Sequence, residues 1–378
     1  MTTRKKIASL PLIRPLTSVK TVVICLLFLF ILTFWGTIDQ VEHGLYAAQQ
    51  KFFYSIFFLA FGFLPFPGAQ LILWILFIHL VAVLIFRFSY RRNNVGILII
   101  HFGLFLVLVS AFVTFYFAQE SHVTLMEGEG SNISTAYHNW ELSVWTQSGN
   151  TRKVVAFDSD RFKAGEILKF DEDDFDVIVE TYYPNSEAYT MRGGNPNTTF
   201  LNASEISSIK EAKKEKEPEK NFPGGIFHVK KGQQELAMLI LYGGETDPTI
   251  LKNGNESYYF MLRRKRFELP FVLQLADFRM DVHPGTEVAR SYESEVEIET
   301  PDSSRRTVIF MNNPLRHKDY TFYQASYSID PFGREASTLA VVKNIGRILP
   351  YISTIVTVLG LVTHFAMMFL QLLNRKKT

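Results

Sequence analysis

Four long apolar runs organise the chain: residues 19–38, 69–88, 95–118 and 348–373. Each matches or slightly exceeds the ~20 residues with which a helix crosses a ~30 Å hydrocarbon core. The first is interrupted only by Lys20 and closes near Trp35, an aromatic placed as an interfacial anchor. No small-x-small cleavage site follows it, so it reads as a retained span and not as a signal peptide. Residues 39–68 carry Phe52, Phe53, Phe57, Phe58, Phe61 and Phe63 and end in Pro65-Phe66-Pro67-Gly68. This pattern predicts an amphipathic segment lying in the membrane interface, with a re-entrant span as the alternative.

Beyond residue 118 the period changes. Trp140-Glu141-Leu142-Ser143-Val144-Trp145, Phe175-Asp176-Val177-Ile178-Val179 and Glu295-Val296-Glu297-Ile298-Glu299-Thr300 alternate with period two, the signature of half-buried strands. Gly193-Gly194, Asn253-Gly254 and Pro284-Gly285 mark turns. One stretch, 204–225, has a Lys/Glu run without an apolar face and is expected to be a solvated insertion or a short exposed helix. The predicted fold class is membrane α + β: four transmembrane helices, with a large antiparallel β-rich extracytoplasmic domain, a sandwich or barrel, between helices 3 and 4. Three regions follow: an N-terminal membrane region 1–118, the outer domain 119–347, and a C-terminal helix with a basic tail 348–378.

Charge sets the orientation. Arg4, Lys5, Lys6 and Arg14 precede the first run, Arg87, Arg91 and Arg92 separate the second from the third, and Arg375, Lys376 and Lys377 follow the fourth. With four spans these clusters share one side, which the positive-inside rule makes cytoplasmic. The chain is therefore expected to be a multi-pass protein of the inner or plasma membrane, termini inside and residues 120–347 outside. A net charge of +2 gives no electrostatic case for nucleic acid as a partner. The single cysteine, Cys25, lies within the first apolar run, which excludes a disulfide framework and a Cys-x-x-Cys pair.

Candidate chemistry lies in the membrane. The outer histidines, His122, His138, His228, His283 and His317, are scattered and read as surface or turn residues, and no catalytic constellation accompanies them. Histidines within spans are functional candidates by default. His79 lies about ten residues into its run, ~15 Å deep, and His101 about six residues from its cytoplasmic end, ~9 Å deep, with His364 at a similar depth. Each can hydrogen-bond another helix, relay protons or ligate a metal. His101 stands between Gly96 and Gly103, small residues that allow a helix or a flat cofactor to approach, as an axial haem ligand requires.

Three segments resemble the ResB family, also called CcsB, of cytochrome c biogenesis proteins. They are Leu16-Thr17-Ser18-Val19-Lys20 with Trp35-Gly36-Thr37; Leu269-Pro270-Phe271-Val272-Leu273-Gln274-Leu275-Ala276-Asp277-Phe278-Arg279 with Tyr292-Glu293-Ser294-Glu295-Val296; and Asn312-Asn313-Pro314-Leu315-Arg316-His317-Lys318-Asp319-Tyr320-Thr321-Phe322-Tyr323-Gln324-Ala325-Ser326-Tyr327. The resemblance implies a subunit of a System II cytochrome c synthase (haem lyase) complex, non-catalytic alone. With a CcsA-type membrane partner it would assist delivery of haem b across the membrane and its attachment to apocytochrome c. The family's intramembrane histidine falls on His101, the candidate haem axial ligand through iron; His364 is a weaker candidate matching no family motif. No tryptophan-rich haem-handling motif is present among the four Trp, so only the ResB half is represented. The competing readings are a membrane-anchored scaffold without cofactor and a transporter subunit using its histidines as a proton relay.

Overall fold

The computed structural model describes residues 13–88, 90–149, 151–170, 175–190, 200–254, 256–286 and 289–375. Arg4, Lys5, Lys6, Lys376, Lys377 and the Gly193-Gly194 turn lie outside them. The chain forms two compact units, one from residues 1–119, 318–320 and 343–378, the other from 120–317 and 321–342.

The described residues of the first unit include four helices long and apolar enough to cross a membrane. These are α1 (Val19–His43), α2 (Ala69–Ala82, extended by a π-helical turn at Val83–Arg87), α3 (Val95–Phe117) and α4 (Leu349–Arg375). A helix satisfies its own backbone, which an apolar surrounding demands. The Ser18 hydroxyl caps α1 by accepting from the Lys20 amide at 3.2 Å. Within α1, the Thr33 and Thr37 hydroxyls donate to the carbonyls four residues back, each at 2.8 Å, so neither is left unpaired.

α1 runs past residue 38 to His43, and the segment after it is not one amphipathic element. A helical turn at Leu45–Ala48 and a π-helical turn at Gln49–Phe53 lead into a hairpin, β1 (Phe57–Ala60) and β2 (Leu64–Pro67). Aromatic contacts fix this hairpin against α1. Trp35 lies 5.5 Å from Phe52, 5.8 Å from Phe58 and 5.7 Å from Phe66, centroid to centroid.

In chain order the strands of the second unit follow α3 and precede α4. They are β3 (Gln119–Met126), β4 (Gly130–Ser148), β5 (Thr151–Asp158), β6 (Ile167–Lys169), β7 (Asp176–Tyr183), β8 (Ser186–Thr190), β9 (Ile206–Glu211), β10 (Gly224–Lys231) and β11 (Gln234–Tyr242). Then come β12 (Thr249–Asn253), β13 (Glu256–Val282), β14 (Ala289–Thr300), β15 (Ser303–Phe310), β16 (Leu315–His317), β17 (Tyr320–Ile329) and β18 (Glu335–Lys343). One sheet runs β15-β14-β13-β4-β3-β18-β17-β16, with β12 on β13 and β5 on β4; a second runs β11-β10-β7-β6; β8 and β9 form a hairpin. The domain is thus large and antiparallel, and the turns at Asn253-Gly254 and Pro284-Gly285 fall between β12 and β13 and between β13 and β14, with Gly254 and Gly285 at positive φ.

The Lys/Glu run is a correction. Residues 206–211 form β9, paired with β8, and only Pro218–Lys220 is helical, as a 3-10 turn. Ile206 is buried, and Asn185 ties the segment down by donating to the Lys213 carbonyl at 2.7 Å and accepting from the Phe222 amide at 3.1 Å. One buried apolar residue and one buried amide organise a stretch whose composition is that of a solvated coil.

The strand β13 carries the motif around Pro270. Its pairing with β4 breaks between Glu268 and Leu273, so the missing proline amide falls where the ladder is interrupted. The core between the second sheet and the β4/β13 half of the first is aromatic: Phe162 sits 5.7 Å from Phe227, and Phe175 sits 4.9 Å from Tyr258. At the other half, β14 meets β17 and β18 through a buried polar triad. The Ser294 hydroxyl lies 2.7 Å from both the Gln324 Oε1 and the Ser337 hydroxyl, and the Gln324 Nε2 donates to Ser337 at 2.9 Å. Every member is satisfied by the others, the condition under which a buried polar network specifies a single packing. Ser294→Ala leaves the Gln324 oxygen without its donor, a loss of about 1–3 kcal/mol. The melting transition of the β-rich unit is expected to fall by about 2–10 °C in this variant, followed by tryptophan fluorescence of the full chain; an unchanged transition would show that the triad does not hold these strands.

Candidate functional site

The positions of the membrane histidines follow from how α3 meets α4. The two helices pack antiparallel along a line of glycines. A Cβ on Gly96 would lie 2.5 Å from the His364 Cα, one on Gly103 2.8 Å from the Thr357 nitrogen, and one on Gly360 2.7 Å from the Ile100 nitrogen. No side chain fits at those distances, so the backbones touch. At ~100° per residue, Gly96, Ile100 and Gly103 share one face of α3, and His101 points ~140° away from Gly96. Of the two neighbours these glycines could admit, a helix or a flat cofactor, they admit a helix: they seat α4.

His101 belongs instead to the stripe His101, Phe105, Leu108 and Phe112, spaced for one helix face. That stripe faces α2: Phe105 stacks on Phe77 at 5.5 Å and Phe112 on Trp74 at 4.2 Å. Phe88, just past the π-helical turn, lies 6.0 Å from the His101 ring. The His101 Nδ1 is 2.8 Å from the Ile97 carbonyl. A carbonyl only accepts, so Nδ1 is the donor. In a neutral ring that arrangement places the lone pair on Nε2, the nitrogen left for a metal. The ring is half-buried.

His79, on α2, is close enough to His101 and Arg87 to interact with both electrostatically. Its Nδ1 is buried without a partner. Arg87 donates through Nη1 to the Thr17 carbonyl. Arg87 therefore holds the segment that opens α1. Arg87 entered the sequence reading only as a topology charge, and nothing in its spacing pointed to this contact. His364 lies level with Gly96, five positions before His101 on α3, or about 7.5 Å along the axis. Its ring is 5.7 Å from Phe365.

The outer histidines are more deeply set than surface residues. His122, His138, His228 and His317 are half-buried, and only His283 is exposed. His228 bridges three neighbouring strands, with Nε2 2.8 Å from Glu180 and Nδ1 against Glu235. Burial alone would lower its pKa, but the two carboxylates outweigh that and raise it. His122 borders a cleft of about 400 Å³ with Tyr137, Trp140, Glu219, Phe222 and Arg264. Burial, and secondarily the Arg264 charge, lowers the His122 pKa, which keeps it neutral at pH 7. The Arg264 guanidinium sits 4.2 Å over the Trp140 ring and donates to the Tyr137 and Glu219 carbonyls at 2.8 and 3.2 Å. Its donors are taken up by backbone, which makes it a strut across the cleft. Among the described residues no group of three His, Cys, Asp or Glu is placed to hold a bare metal ion.

A cluster of long apolar helices carrying one ligand-ready imidazole, joined to a large antiparallel β domain, defines a membrane protein with a single-histidine candidate site. Residues 225–333, which span β10 to the turn after β17, match the model of the ResB-like family. Among curated proteins, Protein NrfI of Wolinella succinogenes is 33% identical over 95 residues, 25% of this chain and 10% of that protein's length. The ResB resemblance carried by the Pro270 and Pro314 motifs is borne out in this segment.

The glycine contact that orients His101 is open to test. Gly360→Leu places a side chain against the Ile100 backbone and is expected to destabilise the helix unit by about 1–3 kcal/mol or more, as overpacking does. Phe365→Leu, at an exposed position on the same helix, should be neutral. Thermal aggregation in detergent compares them, and equal stability of the two variants would contradict the packing.

Proposed function

We propose that this chain is the ResB-type membrane subunit of a System II cytochrome c synthase. Together with a CcsA-type partner it assists haem delivery across the membrane and covalent attachment to apocytochrome c. In this reading α1 to α4 cross the bilayer of the cell membrane, both termini are cytoplasmic, and the β-rich unit is extracytoplasmic. The match of residues 225–333 to the ResB-like family and the similarity to NrfI support a role in cytochrome c biogenesis.

The observation that carries the haem assignment is the bond from His101 Nδ1 to the Ile97 carbonyl. It engages Nδ1 and leaves Nε2 as the nitrogen that would ligate iron. The residues present fit haem b: a half-buried imidazole on an aromatic stripe would hold its iron. Bound there, haem would supply the vinyl groups that attachment consumes. Ile97 fixes the ring, Phe88 and Phe105 keep its surroundings apolar, and α4 closes the glycine face. A second ligand would come from the partner, with His364, level with Gly96, the weaker candidate. The chain's one thiol, Cys25, is buried in α1, so attachment chemistry rests on the partner and the apocytochrome.

His101→Gly in the assembled complex tests the assignment. Covalent cytochrome c, read by haem staining, is expected to fall about 10–100-fold while the protein still inserts, and added imidazole should partly restore it. Normal maturation in the variant would leave His101 as a packing residue and remove it from the mechanism.

A further inference from the structure

The hairpin β1–β2 is built in a way that water does not explain. Its turn places Phe61 at φ 55° and Gly62 at φ 83°, with the Phe63 amide donating to the Ala60 carbonyl at 3.2 Å. Ala60 pairs with Leu64, so the loop is Phe61-Gly62-Phe63, and its first two residues take the left-handed backbone. Glycine or asparagine adopts that backbone without strain, and a bulky aromatic does not. Yet Phe61 stands there with 77% of its surface exposed, and Phe63 beside it with 76%. Phe57, Leu59 and Leu64 are exposed on the same hairpin, while Phe58 and Ala60, on the alternate face, are buried.

The outer edge of β2 is as unusual as the tip. The pairs Phe58↔Phe66 and Ile56/Gly68 set the register, the latter through a 2.8 Å bond from the Gly68 amide to the Ile56 carbonyl. The bonded positions therefore have even numbers, and Pro65 and Pro67 face outward. Those are the positions whose amides would otherwise be left unpaired, and proline has none. From Phe52 to Phe86 the chain contains no Asp, Glu, Lys or Arg. Lys51, the charge that precedes this stretch, is paired with Asp39 at 2.8 Å.

An uncharged hairpin with a strained aromatic tip and an outer edge stripped of two donors matches one surrounding. We propose that the hairpin's occupant is the lipid bilayer itself: Phe61 and Phe63 insert at the boundary of headgroups and acyl chains, beside α1. Carbonyls remain on the outer edge, which places the hairpin at the interface and not in the hydrocarbon centre. Without lysine or arginine, its insertion is independent of anionic headgroups. The inference rests on α1 crossing the membrane and is separate from the haem assignment.

The test uses the full chain with Cys25→Ala, so that single cysteines report alone. Spin labels at Phe61→Cys and, separately, Phe63→Cys are compared in phosphatidylcholine vesicles with labels at Leu27→Cys, mid-α1, and Val154→Cys, on β5. Collision with a polar nickel chelate is expected to be about tenfold lower at the two tip sites than at Val154→Cys, with oxygen collision correspondingly raised. The same result is expected with or without anionic lipid. Tip labels as open to nickel as Val154→Cys would overturn the proposal, as would protection that appears only when a partner membrane protein is co-reconstituted. Nickel access at Leu27→Cys would instead show that α1 does not span, a distinguishable failure.

Discussion

Where Gly96, Gly103 and Gly360 bring two helix backbones into contact, no side chain can enter, and the orientation of everything else on α3 follows. A helix has one face for each neighbour. With the glycine face given to α4, the aromatic stripe must meet α2, and His101 goes with it. The ring then has one backbone carbonyl within reach, Ile97, and one nitrogen left over. A close helix contact without a hydrophobic driving force is a matter of shape, so its precision is what makes the histidine's direction definite.

The β-rich unit shows the same economy in a different chemistry. Motif residues that look like recognition elements are largely packing elements. Ser294 and Gln324 close a buried hydroxyl–amide triad with Ser337, Pro270 falls in a gap of the β4–β13 ladder, and Tyr327 lies 5.7 Å from Phe278. The His317 ring packs edge-on against Phe271 at 4.8 Å. A family pattern made of such residues reports a fold held in common.

Much of the architecture was legible because it is periodic. The apolar runs and the period-two alternation predicted the helices and strands, and Asn253-Gly254 and Pro284-Gly285 sit where turns were expected. What could not be read was partnership. Gly96 and Gly103 were visible as small residues near His101, but only the position of Gly360 on another helix shows which neighbour they admit. The hairpin at Phe57–Pro67 was hidden because the phenylalanines of residues 52–66 show no clean period. The Lys/Glu run hid β9 because one buried residue, Ile206, leaves no pattern. Arg87 gave no sign that it grips the Thr17 carbonyl, since a side chain's bond to a distant carbonyl has no sequence signature.

The central claim is that His101 presents an unprotonated Nε2. Nitrogen-15 solid-state NMR of the full chain in lipid, with labelled histidine and His101 assigned by difference from His101→Gly, measures it directly. The account predicts that the neutral ring carries its proton on Nδ1 and shows an unprotonated Nε2 signal. A neutral ring protonated at Nε2 would contradict it, because the Ile97 bond would then be absent and the ligand-ready nitrogen would not exist.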